Sequence, residues 1–172
     1  PVGLIRRMIE IAGGTEGIVL DFFAGSGTTG EAVFQANAAD AGSRTSILVQ
    51  LPEPLTSDSQ DQQVAAEFCK RSGLSSNIAE LTKERLRRAA NRLRQNAPGL
   101  TIDLGFRAFE LSSSNIRAWT PDSASIEQAV LLNLDHLEPT RSTEDLLFEL
   151  LLKLGLDLCV PIEAKPVAGK TV

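Results

Sequence analysis

Apolar positions recur at helical spacing at the head of the chain. Leu4, Ile5, Met8, Ile9 and Ala12 are separated by Arg6, Arg7 and Glu10, the pattern of an amphipathic helix. Gly13 and Gly14 stop it. A short unbroken apolar run, Ile18-Val19-Leu20, then ends in Asp21 and predicts a buried strand. The chain turns through Gly25 and Gly27 and enters a helix over residues 28–37, with Ala32, Val33 and Ala36 facing inward. Residues 37–44 are small and polar and read as a loop. Residues 46–51 predict a second buried strand, ended by Pro52-Glu53-Pro54. Helix, strand, helix, strand at this spacing predicts an α/β fold, with a parallel sheet and right-handed crossovers.

Residues 56–62 are polar and read as surface loop. A short helix over residues 64–72 is closed by Gly73. Asn77 caps the next helix. Its apolar face is Ile78, Leu81, Leu86, Ala89, Ala90 and Leu93, and its other face carries Lys83, Arg85, Arg87, Arg88, Arg92 and Arg94. Pro98-Gly99 ends it. Residues 100–111 read as a strand with Gly105 as a bulge or a close-approach point, and residues 112–115 as a loop. Beyond residue 119 the pattern becomes helical: one helix over residues 125–137, and another over 144–154, capped by Ser142 or Thr143 and stopped by Gly155. A strand-like tail covers residues 156–162. The expected division is a cofactor-binding portion, 1–119, and a mainly helical segment, 120–172.

Charge refines this picture. The net charge is -5 and the pI about 5.0, which does not favour nucleic acid as a partner. The charge is unevenly spread, however. Residues 122–157 hold eight acidic residues against Arg141 and Lys153, whereas the helix after Asn77 is basic. The two cysteines, Cys69 and Cys159, form no CxxC or Cys/His cluster. Neither a zinc site nor a disulfide framework is expected, and the pattern suits a reducing cytoplasm. No apolar run approaches the roughly 20 residues that span a bilayer. The start, Pro1-Val2-Gly3, carries no initiator Met and reads as cut from something longer.

The chemistry concentrates at residues 17–31. Gly25-x-Gly27-x-x-Gly30 matches the dinucleotide fingerprint, which keeps a nicotinamide-dependent oxidoreductase among the readings. A dehydrogenase loop reaches its first glycine directly from the strand. Here Asp21-Phe22-Phe23-Ala24 intervenes. A carboxylate at the strand end accepts a hydrogen bond from a ligand ammonium and repels a pyrophosphate. Glu53 ends the second strand, 28 residues beyond Gly25, where a carboxylate can take ribose hydroxyls. S-adenosylmethionine, with its ammonium, carboxylate, sulfonium and ribose, meets these demands.

Asp21-Phe22-Phe23-Ala24-Gly25-Ser26-Gly27-Thr28-Thr29 resembles the cofactor motif of the β class of amino-type DNA methyltransferases, and Pro1-Val2-Gly3-Leu4-Ile5-Arg6-Arg7 resembles the segment preceding it. Residues 47–53 (ILVQLPE), 104–109 (LGFRAF) and 144–153 (EDLLFELLLK) resemble the modification (Mod) subunit of type III restriction-modification systems. The resemblance implies a Rossmann-like parallel sheet, here partial. It implies S-adenosylmethionine as cofactor, with Asp21, Phe22, Gly25 and Gly27 lining its methionine end. Phe23, Ala24 and Ser26 would complete the loop, and Thr28 and Thr29 would open the helix toward the carboxylate. Glu53 would hold the ribose, and Pro1 and Leu4 the carboxylate or the pocket wall. The implied target is adenine in DNA; the implied partners are DNA, a second Mod subunit and a restriction (Res) subunit, with no membrane. The Asp-Pro-Pro-Tyr tetrapeptide that holds the flipped base in this class does not occur. No catalytic residue is therefore assigned. The expectation is the carboxyl-terminal part of a methyltransferase, inactive alone.

Plainer readings stand beside these. Glu53 is equally a solvated carboxylate between two prolines. The basic helix offers contacts to DNA phosphates, but Glu80 and Glu84 can pair along it at i,i+4, which favours a solvated, charge-paired face. His136, the only histidine, suits a surface or capping role. Trp119 and Phe106 can stack on a base but more commonly pack, and Cys69 and Cys159 read as small buried hydrophobes. Ser26 has no histidine partner and makes a poor nucleophile. The leucine-rich helix over residues 144–154 offers an apolar face to a second subunit, which makes a non-catalytic interaction module the other alternative.

Overall fold

A computed structural model describes residues 1–116, 137–167 and 170–171. They fall into two compact units, Pro1–Ala108 and Phe109–Val172. The expected boundary at residue 119, Trp119, His136 and nearly all of the helix expected over 125–137 lie outside the described residues.

The first unit runs α1 (Val2–Ala12), β1 (Ile18–Asp21), α2 (Thr28–Asp40), β2 (Thr45–Leu48), α3 (Gln63–Arg71) and α4 (Ile78–Asn96). β1 and β2 pair in parallel, Ile18 with Thr45 through Asp21 with Leu48, and α2 makes the crossover between them. Alternation sends Val19, Asp21, Ser46 and Leu48 to one face of the sheet. Two apolar clusters form there. Ile9, Ala32, Val33 and Ala36 pack with Val2, Ile5 and Val19. Phe34, Leu86, Ala89, Ala90 and Leu104 pack with Leu48 and Leu93.

Several sequence expectations change. The sequence predicts buried strands, yet Ile18, Leu20 and Ile47 on the opposite face are exposed. A parallel sheet hides both faces only when helices cover both, and among the described residues only one face is covered. The second strand ends at Leu48 rather than Leu51. Val49 extends the pairing by donating to Asp21 O at 2.8 Å, and the chain then leaves the ladder. The inward face of α1 is Val2, Ile5 and Ile9, while Leu4 and Met8, expected inside, are exposed.

The largest revision concerns residues 37–44. α2 continues to Asp40, and Ala41 closes it in the left-handed region at φ 53°. Arg44 is buried, ion-paired to Asp40 at 2.7 Å, and donates to Gly14 O at 2.5 Å. The stretch that reads as a small polar loop is a helix end tied to the turn before β1. Residues 100–111 form no strand, because no neighbouring strand offers them a ladder among the described residues. Only Leu104 is buried there, in the cluster with Leu86. Gly105 makes no bulge; its N–H donates to Asp103 Oδ1 at 2.7 Å.

In the second unit, α5 (Thr143–Lys153) begins with a reciprocal box: Ser142 Oγ accepts from Asp145 N–H at 3.1 Å, and Asp145 Oδ2 from Ser142 N–H at 2.9 Å. Gly155, at φ 69°, follows the helix end. Phe109 meets Phe148 edge to face at 5.2 Å. The expected strand over 156–162 is absent; a short antiparallel pair, β3 (Pro166–Val167) with β4 (Lys170–Thr171), occurs instead. Leu150, Leu152, Leu154 and Leu156 are exposed. Cys69 is fully buried as expected, whereas Cys159 is exposed. Among the described residues no helix is long and apolar enough to cross a membrane.

Candidate functional site

The parallel pairing of β1 and β2 delivers the residues after both strands to the same sheet edge. This is the carboxyl edge, where α/β sheets bind ligands. Asp21 is the last residue of β1 and points to the covered face. Its Oδ1 accepts the Phe23 N–H at 3.1 Å, and its Oδ2 accepts the Thr29 hydroxyl at 2.5 Å. One carboxylate thus spans the loop from its entry to the first turn of α2. Each oxygen keeps further lone-pair capacity.

The three glycines have three different reasons to be glycine. Gly25 takes φ 53°, and a Cβ there would meet nothing closer than Phe23 O at 3.9 Å. The turn demands it, and the space beside it is open. Gly27 takes φ 80°, and a Cβ would come within 2.9 Å of Thr82 Cγ2. Gly30 lies inside α2, where a Cβ would sit 2.7 Å from Leu86 Cδ2 and 2.9 Å from Leu48 Cδ1. The third glycine therefore serves helix packing.

Around the loop, Ala24 is buried and its N–H donates to Val49 O at 3.2 Å. Phe22 and Phe23 project outward, Phe23 with 91% of its surface exposed. Ser26 and Thr28 turn their hydroxyl oxygens to Arg85. Gly27 caps α2 without a side-chain hydrogen bond, so the N–H groups of the first turn are left for another acceptor. Glu53 is exposed beyond β2; its backbone carbonyl accepts from Ile78 N–H at 3.0 Å. Pro1 and Leu4 are exposed at the start of α1, where the Pro1 carbonyl accepts from Leu4 and Ile5. Around the one loop, Asp21 bonds Thr29, Gly25 bonds Gln50 and Thr82, and Ser26 and Thr28 share Arg85. Among the described residues, no side-chain hydrogen bond ties Pro1, Leu4 or Glu53 to these.

Five residues around the loop escape a reading of the sequence. Gln50 Oε1 accepts the Gly25 N–H at 2.7 Å. Glu31 is buried and joins Arg85 Nε and Arg92, each at 2.8 Å. Thr82 is buried against Gly25 and Gly27. Thr82, Arg85, Ala89 and Arg92 are spaced three, four and three apart on α4. That spacing is the available signal: two arginines share a helical stripe with a buried alanine.

Most of the rest of the basic helix is charge-paired, and Arg94 donates to Asn91 Oδ1 at 3.3 Å. Arg88 meets Glu84 at 2.7 Å and Arg87 meets it at 3.6 Å. Lys83 pairs with Glu80. The Arg87 guanidinium lies 6.0 Å from the centre of the Phe106 ring, so Phe106 has a partner within its own unit. Among the described residues no cluster of His, Cys, Asp and Glu is arranged to hold a metal.

Comparison with known proteins bears on the same stretch. The model of the DNA methylase family matches residues 1–45, which contain α1, β1, the glycine loop and α2. The StyLTI Mod subunit of a type III restriction-modification enzyme from Salmonella typhimurium is 36% identical over 113 residues, 66% of this chain and 16% of that protein. The EcoP15I Mod subunit from Escherichia coli is 41% identical over 110 residues, 64% of this chain and 14% of that protein. The type II methyltransferase M.KpnI from Klebsiella pneumoniae is 42% identical over 52 residues, 30% of this chain and 12% of that protein. The chain thus spans only a small part of the length of these relatives. It resembles a DNA methylase in its glycine-loop region and, over about two thirds of its length, the Mod subunits of type III restriction-modification enzymes.

Proposed function

We propose that this chain is the cofactor-binding part of an adenine-specific DNA methyltransferase of the type III Mod kind, and that its glycine loop holds S-adenosylmethionine. The observation that carries the reading is the presence of both signs of charge at the loop. The Asp21 carboxylate bonds the Phe23 N–H and the Thr29 hydroxyl and has lone pairs to spare. Arg85 reaches the Ser26 and Thr28 hydroxyls and shares the carboxylate of Glu31 with Arg92, near the uncapped start of α2. A ligand with an ammonium and a carboxylate a few bonds apart suits that pair of fields. A pyrophosphate suits the second alone and is repelled by the first.

S-adenosylmethionine would supply an electrophilic methyl group. In this reading the chain's residues bind and orient it. Asp21 accepts from the ammonium, the Thr28 and Thr29 N–H groups meet the carboxylate, and Gly25 leaves room for close backbone approach. Glu53, exposed and on the same sheet edge, is assigned the ribose. Transfer to an exocyclic amine depends on aligned approach more than on a strong base, and the chain lacks the Asp-Pro-Pro-Tyr tetrapeptide that would hold that amine. The β1–α2–β2 unit and its uncovered apolar face suit a piece of a larger Rossmann-like sheet. DNA, a second Mod subunit and a Res subunit are the partners of the whole protein under this reading. The exposed leucines of α5 favour a subunit-contact role for the segment 120–172.

Calorimetric titration tests the reading. S-adenosylmethionine should bind and NAD should not, while this chain alone should leave DNA unmethylated. NAD binding without S-adenosylmethionine binding would overturn it.

A further inference from the structure

The stripe Thr82, Arg85, Arg92 on α4 lies more than fifty residues downstream of the glycine loop, yet it reaches the loop's backbone and hydroxyls. The Thr82 hydroxyl is 2.5 Å from Gly25 O and 2.9 Å from Ile78 O. It has one proton for two acceptors, and the shorter contact is the one that leaves its own helix. Arg85 spreads one guanidinium over three residues of the loop and α2. Its Nη1 donates to Ser26 Oγ at 2.5 Å and to Thr28 Oγ1 at 3.0 Å, and its Nε to Glu31 Oε2 at 2.8 Å. Arg92 holds the other oxygen of Glu31 at 2.8 Å, which fixes that carboxylate and, through it, the plane of Arg85.

We infer that Arg85 and Thr82 are positioning residues of the glycine loop, holding it from beneath in the shape that receives the ligand. This inference rests on the reading of the loop as the S-adenosylmethionine site. Arg85 acts in two ways. Its donors make acceptors of the Ser26 and Thr28 oxygens, so the protons of both hydroxyls are free to point away from the guanidinium, toward a ligand's oxygens. It also fixes a loop whose left-handed turns at Gly25 and Gly27 would otherwise sample many shapes. The affinity otherwise lost to ordering the loop on binding is thereby retained. Thr82 fits Gly27 closely: its methyl occupies the space a Cβ would need, and its hydroxyl takes the carbonyl two residues earlier.

The test measures S-adenosylmethionine affinity by calorimetry, and amide hydrogen exchange at residues 25–28 and at Val19, on the whole chain. The variants are Arg85→Met, Thr82→Val, Thr82→Ser and, as a control, Arg88→Met, whose guanidinium pairs with Glu84. Arg85→Met and Thr82→Val should each weaken binding about tenfold or more and speed exchange at residues 25–28, with Val19 unchanged. Thr82→Ser, which restores the hydroxyl, should recover most of the affinity, and Arg88→Met should alter neither quantity. Undiminished affinity and unchanged loop exchange in Arg85→Met would overturn the inference while leaving the cofactor reading intact. If the unsubstituted chain does not bind S-adenosylmethionine, the cofactor reading fails. The exchange rates then decide the clamp alone: faster loop exchange in Arg85→Met upholds it and unchanged exchange refutes it.

Discussion

Asn37 satisfies both backbone polar groups of Arg44. Its Nδ2 donates to Arg44 O at 2.8 Å, and its Oδ1 accepts from Arg44 N–H at 3.2 Å. The same Oδ1 also receives Arg44 Nη1 at 3.2 Å. Both residues are buried. The pair closes the turn between α2 and β2 and so sets where β2 begins beside β1.

Asn37→Ala should therefore cost more than an ordinary surface change. It leaves a buried N–H and a buried C=O without partners, a loss of about 2 kcal/mol. Urea unfolding should show the midpoint falling with little change in slope. Asn37→Asp should destabilise less: it loses the donor to Arg44 O, but its acceptor for the Arg44 N–H and guanidinium remains and gains charge. Equal losses in the two variants would contradict this account of the turn.

Gly30 tests the packing of α2 against α4. Ala is the better helix former by about 1 kcal/mol. A methyl here, however, meets Leu86 at 2.7 Å and Leu48 at 2.9 Å, on two different elements. Overpacking of this kind costs about 1–3 kcal/mol, so Gly30→Ala should be net destabilising by about 1 kcal/mol. In the combination with Leu86→Val, which removes a methylene from the crowded side, the Gly30→Ala penalty should shrink. A thermal melt in which Gly30→Ala raises Tm would show that α4 yields freely.

In the second unit, Glu149 is the group to titrate. Lys153, paired at 2.7 Å, is the main cause that holds its carboxyl down to about 2, helped by the Ser114 hydroxyl and the Asn115 N–H at 2.6 Å. A depressed carboxylate stabilises the fold above its unfolded value, about 4.5, and that contribution disappears as pH falls through about 2. The tie between residues 114–115 and α5 should thus loosen on acidification between these limits and be insensitive to pH above them. Following the Glu149 side-chain carbon by NMR should give a midpoint near 2, moving toward 4.5 in Lys153→Met. A wild-type midpoint near 4.5 would refute the pairing.

Some of this was legible in the order of residues alone. Helix starts and stops are decided locally. Asn77 accepting the Glu80 N–H at 2.9 Å, the Ser142–Asp145 box and the left-handed Gly73 and Gly155 all depend on neighbours within a few positions. The loop from Asp21 to Thr29 was legible for the same reason, since its carboxylate, glycines and hydroxyls are one short segment. Residues 100–111 show the opposite limit. Their apolar content is that of a strand, but a strand exists only if another lies beside it, and composition does not carry that information.

What the tertiary structure decided is which distant side chains serve the loop. Gln50, Thr82, Arg85 and Glu31 carry no signature of their own. Arg85 reads like its neighbours Arg87 and Arg88, which face Glu84 and the solvent. Only the packing of α4 on α2, forced by Leu86, Ala89 and Ala90 seeking Phe34 and Leu48, turns Arg85 toward Ser26, 59 residues away in the chain. The local chemistry of the glycine loop is written in sequence because backbone angles and short-range hydrogen bonds form it. Its support is decided by tertiary burial, because apolar area rather than charge sets how the two helices rotate against each other.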